Sequence, residues 1–122
     1  MTTNIQLEHL AKKNNIDLDY IIYKDEIFKI PYRSNLDIII NMSSTKHPGT
    51  HWICIHTFKD IIVYFDSFGE EPPEEIVIWS KNNQKKIIYN NYVIQHITDI
   101  DCGQLCLMFL GLIQGKITTS IY

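Results

Sequence analysis

The segment DCGQLCLMFL, residues 101–110, places two cysteines four positions apart at the start of an apolar run. Its hydrophobic content predicts a largely buried helix over residues 102–115, with Cys102 in its first turn. Partly positive amide groups gather at a helix N-terminus and favour a thiolate over a thiol. Cys102 is therefore a candidate nucleophile, and Gly103 would let a substrate backbone approach its sulfur. The alternative is core packing, which is common for free cysteines and is our interpretation of Cys106.

A nucleophilic thiolate needs a base, and the sequence offers five histidines. His51 has the best placement, because it begins a predicted strand directly after a Pro-Gly-Thr loop. His56 follows an odd number of residues later in that strand and is expected to face the other way. Each histidine taken alone also fits an ordinary surface or hydrogen-bonded position. The other three lie in the first predicted helix, in a polar loop and beside Gln95: His9, His47 and His96.

The third member of a catalytic triad orients the imidazole. The segments THWICIHTF and IIVYFDSF are rich in β-forming residues and are separated by a short turn near residues 58–60, which predicts a hairpin. Antiparallel pairing across that turn brings Asp66 beside His51. The alternative is that Asp66 caps a turn together with Ser67 and Gly69.

An oxyanion intermediate needs hydrogen-bond donors. Gln95 lies seven residues before Cys102, and its side-chain amide could act together with the backbone amide of Cys102. The alternative is that Gln95 is a surface amide with no role in chemistry.

The remaining pattern supplies the elements that must position these residues. We predict a helix in residues 2–16, a buried strand at 36–42, a helix after the Pro-Pro pair through 74–82, and a strand within 85–97. Residues 18–28 are ambiguous and are predicted as a short turn or helix that leads into an extended segment. The expected fold class is α+β, a small mixed sheet with a central hairpin packed against helices.

Composition limits the other possibilities. The 122 residues predict a single domain over 1–122, and 45% hydrophobic with 20% charged residues is typical of a globular protein. A net charge of −3 does not favour a general nucleic-acid binder. Three cysteines argue against a disulfide framework and fit a reducing compartment. We expect neither a signal peptide nor a membrane span.

Four positions, in order along the chain, resemble the adenain-like cysteine proteases of the adenovirus maturation type: His51-Trp52, Asp66, Gln95 and Cys102-Gly103. The clan also contains proteases that process ubiquitin-like modifiers, and its residue order is the reverse of the papain order. The resemblance includes the segments IIINMSSTKHPGTHW, VYFDSFG and DCGQLCLMFL, and it covers at least residues 36–110.

The resemblance implies a cysteine endopeptidase that works through a thioester without a cofactor or metal. Cys102 would be the nucleophile, His51 the general base and acid, Asp66 the orienting carboxylate and Gln95 an oxyanion donor, while Trp52 would pack beside the site. The implied substrates are viral (capsid) precursor proteins, often cut after small residues, which a narrow cleft over Gly103 would suit. We expect a virophage or Polinton-like source and a location in the virion or the infected cell. We also expect a monomer that does not associate with a membrane.

Adenovirus members of this family are longer and are stimulated by DNA and by a viral peptide. This chain is acidic and lacks a clear basic stripe, so activation by DNA is doubtful. One alternative is a deconjugase of ubiquitin-like modifiers from the same clan. Two others are a catalytically inactive interaction domain, and a metal-binding module whose ligands would be His51, Cys54, His56, Cys102 and Cys106.

Overall fold

The fold comes from a computed structural model, and the structure describes residues 2–43, 51–91 and 101–116. Within these residues the chain forms three α-helices, five β-strands and a short 3₁₀ helix at Lys24–Lys29. The helices are α1 (Asn4–Lys13), α2 (Glu74–Asn82) and α3 (Cys102–Ile113). The strands are β1 (Tyr20–Tyr23), β2 (Asp37–Asn41), β3 (Trp52–Phe58), β4 (Ile61–Phe65) and β5 (Lys86–Tyr89).

The strands form one sheet in the order β1-β2-β3-β4-β5. The two outer pairs, β1–β2 and β4–β5, are parallel, whereas β2–β3 and β3–β4 are antiparallel. The predicted hairpin is therefore the centre of a mixed sheet, with Cys54 opposite Phe65. This confirms the expected α+β fold and its central hairpin.

The two faces of the sheet carry separate hydrophobic clusters, because successive side chains of a strand point to opposite faces. Helices α1 and α3 cover one face, where Cys54 and Phe65 of the hairpin pack with Leu7 and Leu107. Helix α2 and the 3₁₀ helix cover the other, packing on isoleucines of β2 and β3. Each fully buried Leu or Ile side chain contributes roughly 1.5–3 kcal/mol. Because both faces of the sheet are covered, β2 carries isoleucine at three consecutive positions, 38–40.

Helices α1 and α3, which cover the same face of the sheet, each begin with a side-chain N-cap. Thr3 caps α1, accepting from the backbone N–H of Gln6 at 3.2 Å, while the Gln6 side chain accepts from the Thr3 N–H at 2.8 Å. Asp101 and Gln104 make the same reciprocal pair at the start of α3, at 3.0 and 3.2 Å. Such capping boxes fix where a helix begins, which places Cys102 at the first helical position of α3.

One segment differs from its prediction. Residues 18–28 were expected to start with a turn or helix and continue as an extended segment, but the strand β1 comes first and the 3₁₀ helix follows. The reason is tertiary, because β1 pairs in parallel with β2 from Tyr20↔Ile38 onward. Across the described residues, no helix has the length and apolar character needed to cross a membrane.

Candidate active site

The hairpin joins His51 to Asp66. His51 directly precedes β3, and Asp66 directly follows β4, so the two residues meet at the open end of the hairpin. The Nε2 atom of His51 lies 2.7 Å from Oδ1 of Asp66, whose side chain is completely buried. The structure thus places these two predicted site residues in direct contact.

Hydrogen bonds fix both the side chain and the backbone of Asp66. Its Oδ1 also accepts the backbone N–H of Phe68 at 2.8 Å, so the turn-capping alternative describes a second role of the same carboxylate. Its backbone is clamped by Asn90, which accepts from the Asp66 N–H at 3.0 Å and donates to the Asp66 carbonyl at 2.6 Å. Sequence reasoning missed Asn90, although its position just after a strand parallel to β4 is a usable signal.

Phe68 forms one wall of the histidine site. Its ring stacks on the imidazole of His51, with ring centroids 4.1 Å apart and planes within 6° of parallel. Phe68 is 42% exposed, so its ring lies at the surface of the site and not in the core. The sequence assigned no individual role to this residue.

Cys102 enters the site from α3. The side chain is largely buried, and its Sγ accepts the backbone N–H of Trp52 at 3.3 Å. The sulfur thus receives a backbone donor and lies at the N-terminal end of a helix. Cys102 therefore occupies the kind of position predicted for a nucleophile, and Trp52 lies beside the site as expected.

His51 is electrostatically coupled to both neighbours. Burial alone lowers the pKa of His51, but hydrogen bonds to Asp66 and Cys102, together with their charges, raise the pKa to about 9. Its Nδ1 atom, the nitrogen not bonded to Asp66, is buried. At neutral pH the imidazole is thus protonated, a state suited to pairing with a thiolate of Cys102.

Gly103 has a different role from the one predicted. The sequence suggested that its missing side chain lets a substrate reach the sulfur. Instead, a Cβ on Gly103 would lie 3.0 Å from Cδ2 of Leu7 and 3.2 Å from Cδ1 of Trp52. The absent side chain therefore permits α1 and β3 to pack closely on the start of α3, while the narrow cleft over Gly103 stays a prediction from the resemblance.

Within the part of the chain that the structure describes, the other cysteine and histidine candidates do not take part in the contacts of His51. Cys106 is fully buried, and burial raises its pKa well above the usual value, which fits its predicted core role. Cys54 is also buried, and its Sγ lies 3.7 Å from the Cys106 carbonyl oxygen. His56 pairs with Asp37 through a 2.7 Å contact and is not part of the His51 site. Three residues lie outside the described part of the chain: His47, Gln95 and His96.

The metal-binding alternative receives no geometric support. Among the described residues, no three His, Cys, Asp or Glu side chains form a group that could hold a metal ion. All five ligands proposed for such a module lie within the described ranges. A closed structural zinc site needs four ligands arranged tetrahedrally around the ion.

Comparison with known proteins identifies the fold. No protein-family model and no curated protein sequence matches the chain. Two crystal structures of the ASFV pS273R protease do match it. The selenomethionine form gives a TM-score of 0.58 at 16% identity, covering 97% of this chain and 60% of that chain. The second gives 0.52 at 16% identity, covering 92% and 55%.

This chain thus spans little more than half the length of the protease that it matches. At 16% identity, the likeness establishes a shared fold over nearly all of this chain. The class that the fold defines is an α+β protein with the architecture of a viral protease.

Proposed function

We propose that the protein is a cysteine endopeptidase in which Cys102, His51 and Asp66 form the catalytic triad. The observation that carries this proposal is the position of His51 between the buried carboxylate of Asp66 and the thiol of Cys102. The fold shared with a viral protease supports the same class. Gln95 is proposed as the oxyanion donor on the basis of sequence alone.

The proposed reaction has two halves. The Cys102 thiolate attacks the substrate carbonyl carbon, and the resulting oxyanion accepts hydrogen bonds from the Cys102 backbone N–H and the Gln95 side chain. Protonated His51 then donates its proton to the leaving amine, which departs as the thioester forms. In the second half, neutral His51 takes a proton from water as the resulting hydroxide attacks the thioester carbonyl. The carbon–sulfur bond then breaks, which releases the carboxylic acid product and restores the Cys102 thiolate beside protonated His51. Asp66 keeps the imidazole oriented throughout.

The proposed substrates are viral (capsid) precursor polypeptides cut during virion maturation, in the virion or the infected cell. This substrate class rests on the resemblance to adenain-like proteases and is supported by the viral source of the protease with the same fold. Without a basic stripe, we do not expect DNA to be an activator. A monomer is the expected state.

Alkylation tests the nucleophile without knowledge of the substrate. Iodoacetamide should modify Cys102 much faster than Cys54 or Cys106, as followed by mass spectrometry of the three cysteine peptides. His51→Ala should remove that difference, because the thiolate loses its paired cation. Equal, slow labelling of all three cysteines would contradict the proposal.

Cleavage assays test the substrate class. Cys102→Ala should abolish cleavage of a precursor polypeptide while the protein stays folded, whereas Cys106→Ala should retain cleavage if it remains folded. A parallel assay with a modifier–reporter fusion examines the deconjugase alternative. Cleavage of the fusion alone would overturn the maturation assignment but leave the triad intact.

A further inference from the structure

Thr2 is a buried residue at the edge of the candidate site. It is only 7% exposed, although it precedes α1 and belongs to neither hydrophobic cluster. Its hydroxyl donates a hydrogen bond to Oδ2 of Asp101, and its carbonyl accepts the indole N–H of Trp52 at 3.0 Å. One residue therefore links two segments that lie far from it in sequence.

Both partners of Thr2 adjoin Cys102, Trp52 through a hydrogen bond to its sulfur and Asp101 as the residue before it in the chain. Trp52 donates its backbone N–H to that sulfur at 3.3 Å, so the indole bond fixes the residue that supplies the donor. Asp101 is the N-cap of α3, and its two carboxylate oxygens accept different hydrogen bonds. Its Oδ1 accepts the Gln104 N–H at 3.0 Å, while its Oδ2 accepts the Thr2 hydroxyl.

The contact with Asp101 has an electrostatic consequence. A carboxylate next to Cys102 disfavours a thiolate, because two negative charges repel. A hydroxyl donor withdraws part of that charge and holds Oδ2 in place. Titratable groups also lie on the elements packed around this region. They are His51 before β3, Cys54 in β3, Asp66 after β4 and Cys106 in α3. Helix α1 presents Leu7 to the start of α3 and His9 to the cleft that Thr2 and Asp101 also line.

The surroundings of Thr2 argue against a role in core packing alone. A cleft of about 430 Å³ lies on one side, between Thr2 and β1, with Trp52 in its wall. A cleft of about 530 Å³ lies on the other side, between α1 and Asp101. Thr2 borders both clefts, and its hydroxyl and carbonyl bond to Asp101 and Trp52, the residue before Cys102 and the donor to its sulfur.

We propose that Thr2 is a positioning residue for Cys102, holding the Trp52 donor and the Asp101 cap in the arrangement that favours a reactive thiolate. This inference rests on the proposed function, since it assigns Thr2 a role in that same site. It predicts that the reactivity of the Cys102 thiol toward an alkylating reagent changes when the Thr2 hydroxyl is removed, even in the absence of any substrate.

The test measures iodoacetamide modification of Cys102 against pH in four proteins: the unmodified chain, Thr2→Val, Thr2→Ser and the control Thr3→Val. Loss of the hydroxyl should move the rise of the rate to higher pH. A shift of half a unit to one unit lowers the rate on the acidic side roughly three- to tenfold, since the thiolate fraction falls by that factor. Thr2→Ser should restore the original profile. Thr3→Val removes the cap of α1, so it should lower thermal stability without moving the profile.

An unshifted profile in Thr2→Val would overturn the inference. Equal shifts in Thr2→Val and Thr3→Val would also overturn it, since the effect would then follow from a loosened α1. The outcome is separable from the proposed function. If the unmodified protein labels Cys102 selectively but cleaves no peptide, the peptidase proposal fails while the Thr2 comparison still gives its answer.

Discussion

Leu7 of α1 occupies the space that a side chain at Gly103 would need. The Cδ2 atom of Leu7 lies 3.0 Å from the position of a Cβ on Gly103, and Leu7 is completely buried. Helix α1 is thus in direct contact with the first turn of the helix that carries Cys102. This contact makes the N-terminal helix part of the support of the site.

Gly103→Ala should therefore destabilise the protein, although the same change in an ordinary helix interior is stabilising by about 1 kcal/mol. The added methyl must displace Leu7 or the Trp52 ring, and Trp52 also holds the sulfur of Cys102. Chemical denaturation should show a lower free energy of unfolding, and alkylation of Cys102 should slow.

A double-mutant cycle with Leu7→Ala checks the cause. Leu7→Ala alone should cost about 2–5 kcal/mol through the cavity that it leaves. In the double variant the alanine methyl at 103 has room, so the combined loss should be smaller than the sum of the two single losses by roughly 0.5–3 kcal/mol. Simple additivity would show that Leu7 does not restrict residue 103.

The pKa of His51 predicts the alkaline limit of activity. Imidazolium is needed to protonate the leaving amine, so kcat/KM should fall as pH rises through about 9, where His51 loses its proton. Asp66→Asn removes the carboxylate charge that raises this pKa, so the fall should begin at lower pH. The measurement is a pH–rate profile for both proteins, and an unchanged alkaline limb in Asp66→Asn would contradict the assigned role of Asp66.

Asn90 should be required for the geometry of Asp66. Asn90→Ala removes both hydrogen bonds to the Asp66 backbone and should cost about 1–3 kcal/mol of stability, because two partner groups lose their bonds. Activity should also fall when it is assayed well below the melting temperature, where the variant is still folded and lost stability cannot account for the change. Asn91→Ala is the matched control, since Asn91 is an exposed neighbour of the same type, and it should behave like the unmodified chain.

Phe68 should be required for the orientation of His51. Phe68→Ala removes the ring that stacks on the imidazole and should lower kcat by about ten- to a hundredfold, the range expected for a misplaced catalytic group. Phe68→Tyr should keep most of the activity. Phe58→Ala is a suitable control, because Phe58 is 48% exposed compared with 42% for Phe68 and lies at the other end of the hairpin. Equal effects of both alanine changes would argue against a specific role of the stack.

The sequence by itself determined the local parts of the site. Only a short turn separates the two strands of the hairpin, so their apolar pattern fixes a register that leaves His51 and Asp66 at the same end of it, where they are in contact. The start of α3 is equally local, because Asp101 and Gln104 form a capping box three residues apart. These features were predictable because closing a short loop costs little entropy and few partners compete. The assignment of Gln95 remains a prediction from sequence.

Only the tertiary structure decided how these parts meet. The order of strand and 3₁₀ helix after α1 depends on pairing with β2, and the role of Gly103 depends on Leu7 and Trp52. The contact between the Trp52 amide and Cys102 joins residues 50 positions apart, and the Thr2–Asp101 bond joins residues 99 apart. Such contacts carry no local signal, because they form only when α1 and α3 bury their apolar faces together against one side of the sheet.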